Sequence, residues 1–277
     1  MVREVQVNTT ANRFDLIFDD FEILKIEYDD VILYVPFTLN LKKRECFLGL
    51  TLNDFPAKIL EKAYSFIQKE YVWVWRFRFM YFRNQFKGAI HKNYYLLSLP
   101  STYDEYLKKF SSKYRYNIKR EKRIIETELE AKIEKYTADA VTNELIERMI
   151  VLKNTNDTCM FKNAESFLKN MAVSVVYALR IKGEIEAVVT YSILDENNGY
   201  CSTMSYNSDY KKYSIGKYLF YASLEDLINT THINKLFMGG GDYDYKIQAG
   251  CERIDTYCGK VYKINLRNLW EAIKKRS

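Results

Sequence analysis

The amino-acid sequence predicts an α/β protein, in the α+β arrangement, in which mixed sheets are flanked by helices. Two observations support this class. Strand-like runs of alternating apolar and polar residues recur along the chain, and segments with apolar residues three and four positions apart separate them. Of the 277 residues, 48% are hydrophobic and only 3 are proline, which predicts a large core and no flexible linker.

The first hundred residues are predicted to hold one helix with strands on both sides. The helix has Asn53 as its expected N-cap and Pro56 in its first turn. The strands are indicated by β-branched and aromatic residues, with a turn signal in the earliest of them. The predicted elements are strands within 22–52, the helix over 53–71, and strands over 72–82 and 93–100.

A heavily charged segment follows, and it predicts one long helix or two helices broken at Ser111 and Ser112. A hydroxyl residue stands three positions before an acidic residue at its start, which is the pattern of a capping box. Because its composition differs from the sequence on either side, we expect residues 101–130 to connect a first domain over 1–100 to a second over 131–277.

The second half alternates strands and helices in an order that predicts a central meander of strands packed by helices. A strand comes first, then two helices, three strands, a helix and two more strands. The helices are expected near 139–153, near 163–172 and after Gly216. The strands are expected at 131–137, 173–182, 185–194, 199–206, 234–239 and 252–265.

Cysteine and histidine are too sparse to predict a metal site. The 5 cysteines form no C-x-x-C pair and there are only 2 histidines, so no zinc-ligand spacing exists, and we expect reduced thiols and no bound metal. The longest apolar stretch, residues 171–179, is about half as long as a membrane span. The N-terminus also lacks a signal-peptide core, so a cytosolic location is predicted. A net charge of +6 favours anionic partners.

Residues 210–217, YKKYSIGK, lie where a predicted strand gives way to a predicted helix. A helix N-terminus leaves backbone N–H groups without intrahelical partners and carries roughly half a positive charge, so it attracts anions. Ser214 and Gly216 are small enough for a phosphate to approach the backbone, and lysines flank them on both sides. An N-cap serine followed by an ordinary glycine is the simpler interpretation of the same residues.

With its surrounding order of elements, this stretch resembles the GNAT acyltransferases, whose Gln/Arg-x-x-Gly-x-Gly/Ala loop holds the coenzyme A pyrophosphate. Lys211 stands at the Gln/Arg position, Ser214 at the first glycine and Gly216 at the second. The serine departs from the general pattern but suits the S-P-G version of the branch often called BioF2-like or CelD-like, related to the FemAB peptidyltransferases. The resemblance implies acetyl-CoA, or another acyl-CoA, bound by Lys211, Lys212, Tyr213, Ser214, Ile215, Gly216 and Lys217.

Two further segments are similar to motifs of that branch. The sequence SSKYRYNIKREKRIIE at 111–126 resembles its basic helix, and FMGGGDYDYKIQAGCE at 237–252 resembles its D-F-G-x-G-x-x-x-Y-K-x-x-F-G segment. In the second segment, Phe237 replaces an aspartate and Ala249 an aromatic residue. The resemblance covers roughly residues 100–265 and implies tandem GNAT-like lobes, of which the first is degenerate.

The resemblance also implies direct attack of an amine on the thioester, without an acyl-enzyme. Lys246 is the first catalytic candidate, as a cation that stabilises charge on the thioester or binds an anionic acceptor; a solvated surface lysine is the alternative. Tyr245 is a candidate proton donor to the thiolate, or a packing residue. Asp242 and Asp244 are candidate bases, although aspartates in glycine-rich loops usually serve turns.

A basic helix face and a glycine triplet are predicted to bind the acceptor. The basic face, solvated by default, suits a phosphate-bearing acceptor such as a nucleotide-linked amino sugar. The triplet suits close approach of a substrate to backbone amides, with a turn as the alternative. The predicted substrate-binding residues are Arg115, Asn117, Arg120, Gly239, Gly240 and Gly241.

The sequence therefore predicts an N-acyltransferase that moves an acyl group, expected to be acetyl, from acyl-CoA to an amine, with an amino sugar of a surface polysaccharide as the first candidate. One alternative is a Fem-type enzyme that takes its acyl group from aminoacyl-tRNA. The other is a protein that keeps the GNAT scaffold without catalysis and binds nucleic acid or a partner. No pattern indicates an oligomeric state.

Overall fold

A computed structural model of the chain describes residues 2–7, 22–28, 31–48, 57–82, 89–156, 174–193 and 196–262. Contacts divide the chain into two units, residues 1–94 with 254–277 and residues 95–253. The predicted α/β class with mixed sheets is confirmed. The domain boundaries predicted from the sequence stay a prediction, and the division by contacts differs from them chiefly in grouping residues 254 onward with the first unit.

The strands of the described segments are short to medium in length. In chain order they are β1 (Val2–Val7), β2 (Glu22–Tyr28), β3 (Val31–Asn40), β4 (Glu45–Leu48), β5 (Arg76–Phe82), β6 (Ile90–Ser98), β7 (Lys132–Thr137), β8 (Val175–Ile181), β9 (Glu184–Ile193), β10 (Asn198–Tyr206), β11 (Lys235–Gly240) and β12 (Glu252–Tyr262).

The helices include the two that the sequence predicted on either side of a break at Ser111. Thr102 accepts a hydrogen bond from the Glu105 N–H at 3.2 Å, and Ser111 accepts one from the Tyr114 N–H at 3.3 Å, so a hydroxyl caps each helix. The helices are α1 (Ala57–Glu70), α2 (Tyr103–Lys108), α3 (Ser112–Glu128), α4 (Asn143–Asn156), α5 (Ile215–Thr230) and α6 (Asp244–Gln248), with 3₁₀ helices at Ala138–Ala140 and Ser208–Tyr213.

The first unit is a mixed sheet in the order β1-β2-β3-β4-β5-β12. Strands β4 and β5 pair in parallel, and β12 pairs antiparallel with β5. Phe37, Cys46 and Phe77 are buried on it, and Tyr64 of α1 packs on Phe77 with ring centroids 4.2 Å apart. The strand predicted over residues 72–82 begins only at Arg76, because the preceding residues form a turn.

The second unit carries the order β6-β11-β10-β9-β8-β7, with helices on both faces of the sheet. Alternate side chains of β8 point to opposite faces. Tyr177 shares one core with Leu219 and Leu224 of α5. Val176 shares another with Leu145 of α4 and its neighbours. Burial on both faces explains why β8 and β9 consist almost wholly of buried residues.

Strands β10 and β11 run in parallel but pair along only part of their length. Pairing joins residues 198–200 to 235–237, although β10 continues to Tyr206 and β11 to Gly240. Within these described strands, the later residues of β10 and β11 therefore diverge from each other.

Some predicted features fall outside the residues that the structure describes. These are the helix near 163–172, the capping residues Asn53 and Pro56, Cys159, and the last residues of the strand predicted to reach 265.

Candidate functional site

A cavity of about 290 Å³ lies where β10 ends and α5 begins. The end of β10, the loop after it, the first turns of α5 and residues near α6 all contribute to its wall. Two lysines and five aromatic side chains are among the residues that line it. The lining residues are Tyr114, Met204, Tyr206, Lys211, Ser214, Gly216, Lys217, Phe220, Tyr221, Tyr245 and Gln248.

The N-terminus of α5 opens onto this cavity without a side-chain cap. Ser214 precedes the helix with a left-handed backbone, φ 55°, and its hydroxyl makes no capping hydrogen bond. The first-turn N–H groups of an α-helix have no partner within the helix, and they carry the positive end of its dipole. The backbone at this end of α5 is therefore suited to bind an anion.

Gly216 is required by the close approach of a tyrosine ring. A Cβ placed on Gly216 would lie 2.7 Å from Cδ1 of Tyr206, well inside van der Waals contact. Both residues line the cavity, so a larger residue at position 216 would displace the ring that forms its wall. The glycine thus keeps the cavity open next to the first turn of α5.

Two lysines reach the cavity and differ in how far they are already paired. Lys211 is exposed at the mouth. The Nζ of Lys217 lies 3.0 Å from Oε2 of Glu121 on α3 and 5.0 Å from the centre of the Tyr114 ring. Lys211 is consequently the more available cation, whereas Glu121 offsets part of the charge of Lys217.

Tyrosines supply most of the polar groups on the aromatic wall. The hydroxyls of Tyr114 and Tyr221 are 3.1 Å apart, and either can donate to the other. Among the described residues, no group hydrogen-bonds the Tyr245 hydroxyl. Burial raises the pKa of Tyr245 above its ordinary value, so its phenol stays protonated at neutral pH and is able to donate a proton.

Lys246 does not line the cavity. Its side chain is buried, with 2% of the residue exposed, which contradicts the alternative of a solvated surface lysine. Nζ donates to the carbonyl oxygens of Gly239, Gly240 and Gly241 at 3.3, 2.6 and 3.1 Å. It also lies 5.0 Å from the centre of the Tyr95 ring. Burial lowers the pKa of Lys246, while its carbonyl contacts suit an ammonium with three N–H donors.

The glycine triplet is shaped to receive that ammonium. Gly239 and Gly241 have φ of 70° and 90°, which residues with a Cβ rarely adopt. These turns direct the carbonyl oxygens toward one point, where Nζ of Lys246 lies. The carbonyl groups of the triplet are therefore hydrogen-bonded by Lys246 of the same chain.

The other predicted catalytic residues lie away from the cavity lining. Asp242 is exposed and accepts a hydrogen bond from the Tyr95 hydroxyl at 2.6 Å. Asp244 is exposed at the start of α6. Neither carboxylate contributes to the wall of the cavity.

The remaining predicted residues divide between surface, core and loop. Nη1 of Arg115 donates to the Phe110 carbonyl at 3.0 Å, Asn117 is half-buried and Arg120 is exposed. Ile215 belongs to the core with 0% exposure. Lys212 is exposed, with Nζ 4.8 Å from the centre of the Tyr213 ring.

Sequence reasoning missed several lining residues, namely Met204, Tyr206, Phe220, Tyr221 and Gln248. Tyr206 offered a usable signal, since it ends the strand that leads into the loop and stands ten residues before Gly216. Tyr114 and Tyr221 are far apart in sequence, and only the packing of α3 on α5 brings them together.

Three findings concern parts of the described chain other than the cavity. Among the residues that the structure describes, no cluster of His, Cys, Asp and Glu side chains is placed to hold a metal ion. Burial raises the pKa of both Cys201 and Cys251 to about 12, so neither thiol ionises readily. No helix in the described segments is long and apolar enough to cross a membrane.

Comparison with protein families assigns this part of the chain. Residues 112–247 match the family described as Acetyltransferase (GNAT) domain. This segment is a GNAT domain. Every site residue predicted from the sequence, from Arg115 to Lys246, falls within the matched GNAT domain. No curated protein sequence matches the chain significantly.

Solved structures resemble the whole chain in fold. FemX has a TM-score of 0.63 at 8% identity, with 98% of this chain and 100% of FemX covered. L-PGS from Bacillus licheniformis has a TM-score of 0.55 at 12% identity, covering 91% and 88%. A tandem GNAT protein from the clavulanic acid biosynthesis pathway has a TM-score of 0.52 at 8% identity, covering 87% and 82%. At these identities the likeness is one of fold alone.

Proposed function

We propose that this GNAT protein is an N-acyltransferase that binds acyl-CoA in the cavity at α5 and transfers the acyl group to an amine. The observation that carries the proposal is the uncapped N-terminus of α5. It faces a cavity that Gly216 keeps open and that Lys211 borders.

The cavity suits the central part of an acyl-CoA. A pyrophosphate matches the first-turn N–H groups of α5 together with the ammonium of Lys211. Met204, Tyr206 and Phe220 offer apolar surface to the arm that ends in the thioester. A volume of about 290 Å³ is in the range of a small-ligand pocket, so the adenosine would lie outside it.

The proposed reaction needs few groups from the protein. The neutral amine attacks the thioester carbonyl carbon, a C–N bond forms, the C–S bond breaks, and the thiolate leaves. Tyr245 is the proposed donor of the proton that converts the thiolate to free CoA, because its ring lines the cavity and its phenol is protonated at neutral pH. In the same turnover the amine nitrogen releases one proton to solvent, and the phenolate of Tyr245 takes one proton back from solvent.

For Lys246 we propose a role in holding the glycine triplet rather than in contact with the thioester. Its three N–H donors match the three carbonyl oxygens within reach. A buried cation so engaged has no donor left for an oxyanion. Lys246 would then act on the reaction through the position of the turn that precedes Tyr245.

The acceptor is proposed as a small amine, with a nucleotide-linked amino sugar as the first candidate, and acetyl as the acyl group. Arg115, Asn117 and Arg120 stay predicted acceptor contacts, and Asp242 and Asp244 stay candidate bases that would act through water. The cytosolic location also stays a prediction.

Calorimetric titration with acetyl-CoA and with free CoA tests the proposal. Wild type should bind both saturably, and Gly216→Trp should lose binding, because the indole would fill the cavity beside the first turn of α5. Asn229→Trp, on the exposed last turn of the same helix, is the matched control and should bind as wild type does. With folding confirmed by circular dichroism, absence of wild-type binding at about 1 mM ligand would reject the acyl-CoA proposal.

The Fem-type alternative is supported by one specific observation, the fold similarity to FemX over 98% of this chain. Under this alternative the acyl group would come from aminoacyl-tRNA. A transfer assay with charged tRNA distinguishes the two donors: amide formation from tRNA, together with no binding of CoA, would favour the Fem-type enzyme.

A further inference from the structure

Three side chains from different elements meet behind the loop that leads to α5. The carboxylate of Glu186 on β9 accepts hydrogen bonds at one oxygen, Oε2, from Nη2 of Arg148 at 2.7 Å and from Nδ2 of Asn207 at 2.9 Å. Arg148, on α4, also donates through Nε to the Ile185 carbonyl at 2.6 Å. Glu186 is buried, with 7% exposure, and does not line the cavity.

Asn207 is the residue through which this cluster reaches the loop. Its N–H donates to the Glu186 carbonyl at 2.7 Å, which extends the pairing of β9 with β10 by one residue. Its Oδ1 accepts from the Asp209 N–H at 3.1 Å, and its carbonyl accepts from the Tyr210 N–H at 3.2 Å. Asn207 therefore ends the strand and starts the 3₁₀ helix that leads directly to Ser214.

Stability alone does not account for a carboxylate buried at this position. A buried ion pair contributes little more to folding than apolar side chains of similar volume, because desolvation offsets most of its attraction. Its geometry is nevertheless far more restrictive than an apolar contact, since Glu186 accepts two directed hydrogen bonds. Directional restraint is what a loop that must hold several N–H groups toward one anion requires.

We propose that Glu186, held in place by Arg148, is a positioning residue that fixes the loop from Asn207 to Ser214 and so keeps the N-terminus of α5 aimed into the cavity. The restraint on the loop follows from the hydrogen bonds that Glu186 and Asn207 make. Its consequence for acyl-CoA binding rests on the proposed function, and the two parts are measured separately.

The test inverts the hydrogen bond between Asn207 and Glu186. Asn207→Asp keeps the acceptor for the Asp209 N–H but places a carboxylate oxygen against the Glu186 carboxylate. The double variant Asn207→Asp/Glu186→Gln replaces this like-charge contact by an amide-to-carboxylate hydrogen bond in the reverse direction, but it removes the oxygen that also accepts from Nη2 of Arg148, so it restores only part of the wild-type restraint. Glu134→Gln is the matched control, because Glu134 forms a partly exposed pair with Arg180 at 3.2 Å on β7 and β8.

Hydrogen exchange of residues 208–214, followed by mass spectrometry on the protein without ligand, tests the restraint. We expect roughly tenfold faster exchange in Asn207→Asp, exchange between that of Asn207→Asp and that of wild type in the double variant, and near wild-type exchange in Glu134→Gln. Unchanged exchange in Asn207→Asp would overturn the inference. Exchange in the double variant as fast as in Asn207→Asp, or faster, would also overturn it, since repulsion by the Glu186 carboxylate would then not be the cause.

Binding of CoA and of pantetheine, which lacks the pyrophosphate, tests the functional part. Asn207→Asp should weaken CoA binding about tenfold and leave any pantetheine binding unchanged, and the double variant should regain part of the lost CoA affinity. Equal weakening for both ligands would show that the loop does not act on the pyrophosphate. If wild type binds no CoA, the proposed function fails, while the exchange data still decide whether Glu186 restrains the loop.

Discussion

In the second unit, one polar turn follows β10 and another follows β11. The two turns differ in whether their backbone polar groups are hydrogen-bonded within the chain. The turn after β10 ends at Ser214 without a capping side chain, so the first N–H groups of α5 face the cavity. The turn after β11 directs three glycine carbonyls to the ammonium of Lys246. One turn leaves its donors for another molecule, and the other satisfies its acceptors within the chain.

The difference separates residues suited to bind a ligand from residues that hold the backbone of the protein in place. A buried ammonium whose hydrogen bonds are all made orders the turn around it. Uncapped N–H groups are instead suited to a ligand that supplies the missing acceptors. A glycine-rich motif can therefore signal either case, and the neighbouring charged side chain decides which. The following predictions test that contrast, beginning with the largest expected effect.

Lys246→Met should be the most damaging of these changes. Methionine has a similar length but no donor, so the carbonyls of Gly239, Gly240 and Gly241 would lose their shared partner inside the protein. Gly239 is buried and Gly240 half-buried, so their unpaired carbonyls predict a loss of about 3 kcal/mol in the free energy of unfolding, measured by urea denaturation, whereas the exposed Gly241 can pair with water. Lys235→Met, an exposed lysine on β11, should change it by less than about 0.5 kcal/mol. A similarly small loss for Lys246→Met would mean that the turn is not held by this lysine.

Tyr245→Phe should lower kcat for acyl transfer by about 100-fold with little change in KM for acetyl-CoA, because it removes the proposed acid and keeps the ring. Burial raises the pKa of Tyr245 above 10.0, so the wild-type phenol stays protonated as pH rises from 7 to 10. An acid with a raised pKa remains active in that window, and kcat should not decline there. The exposed Tyr243→Phe is the control. Transfer by Tyr245→Phe at half the wild-type rate or more would exclude the assigned role.

Glu121→Gln should have the smallest effect, with the opposite sign. Lys217 would lose its partner at 3.0 Å and become available to an anion in the cavity. Partly exposed ion pairs contribute about 0.2–1 kcal/mol, so the Kd for CoA should fall by roughly two- to fivefold at low salt. Glu126→Gln, whose carboxylate accepts from Tyr218 rather than from a lysine, is the control. Weaker binding in Glu121→Gln would indicate that the pair positions Lys217.

The parts of the fold that depend on local chemistry were predictable from the sequence. The break at Ser111 follows from a hydroxyl cap that acts within three residues, and β8 to β10 follow from short apolar runs bounded by turns. The start of β5 was predicted too early because alternating Val and Trp residues are typical of strands. A turn hydrogen bond from the Val74 N–H to the Tyr71 carbonyl, 2.9 Å, competes with pairing there.

The candidate site was predictable only where its residues are close in sequence. The loop at 211–217 could be recognised, but the sequence did not distinguish residues that line the cavity from Ile215, which turns into the core. Contacts such as Glu186 with Asn207 arise from the register of β9 and β10. The engagement of Lys246 depends on positive φ angles at Gly239 and Gly241, which no residue pattern specifies.

The division of the chain into two units has a spectroscopic consequence. Of the 3 tryptophans, Trp73 and Trp75 belong to the unit formed by residues 1–94 and 254–277, and Trp270 lies outside the residues that the structure describes. The unit with the GNAT cavity contains tyrosine but no tryptophan. Emission excited at 295 nm therefore reports on the first unit, whereas tyrosine absorbance is weighted toward the second. The chain thus carries intrinsic optical labels by which unfolding of the two units can be followed separately.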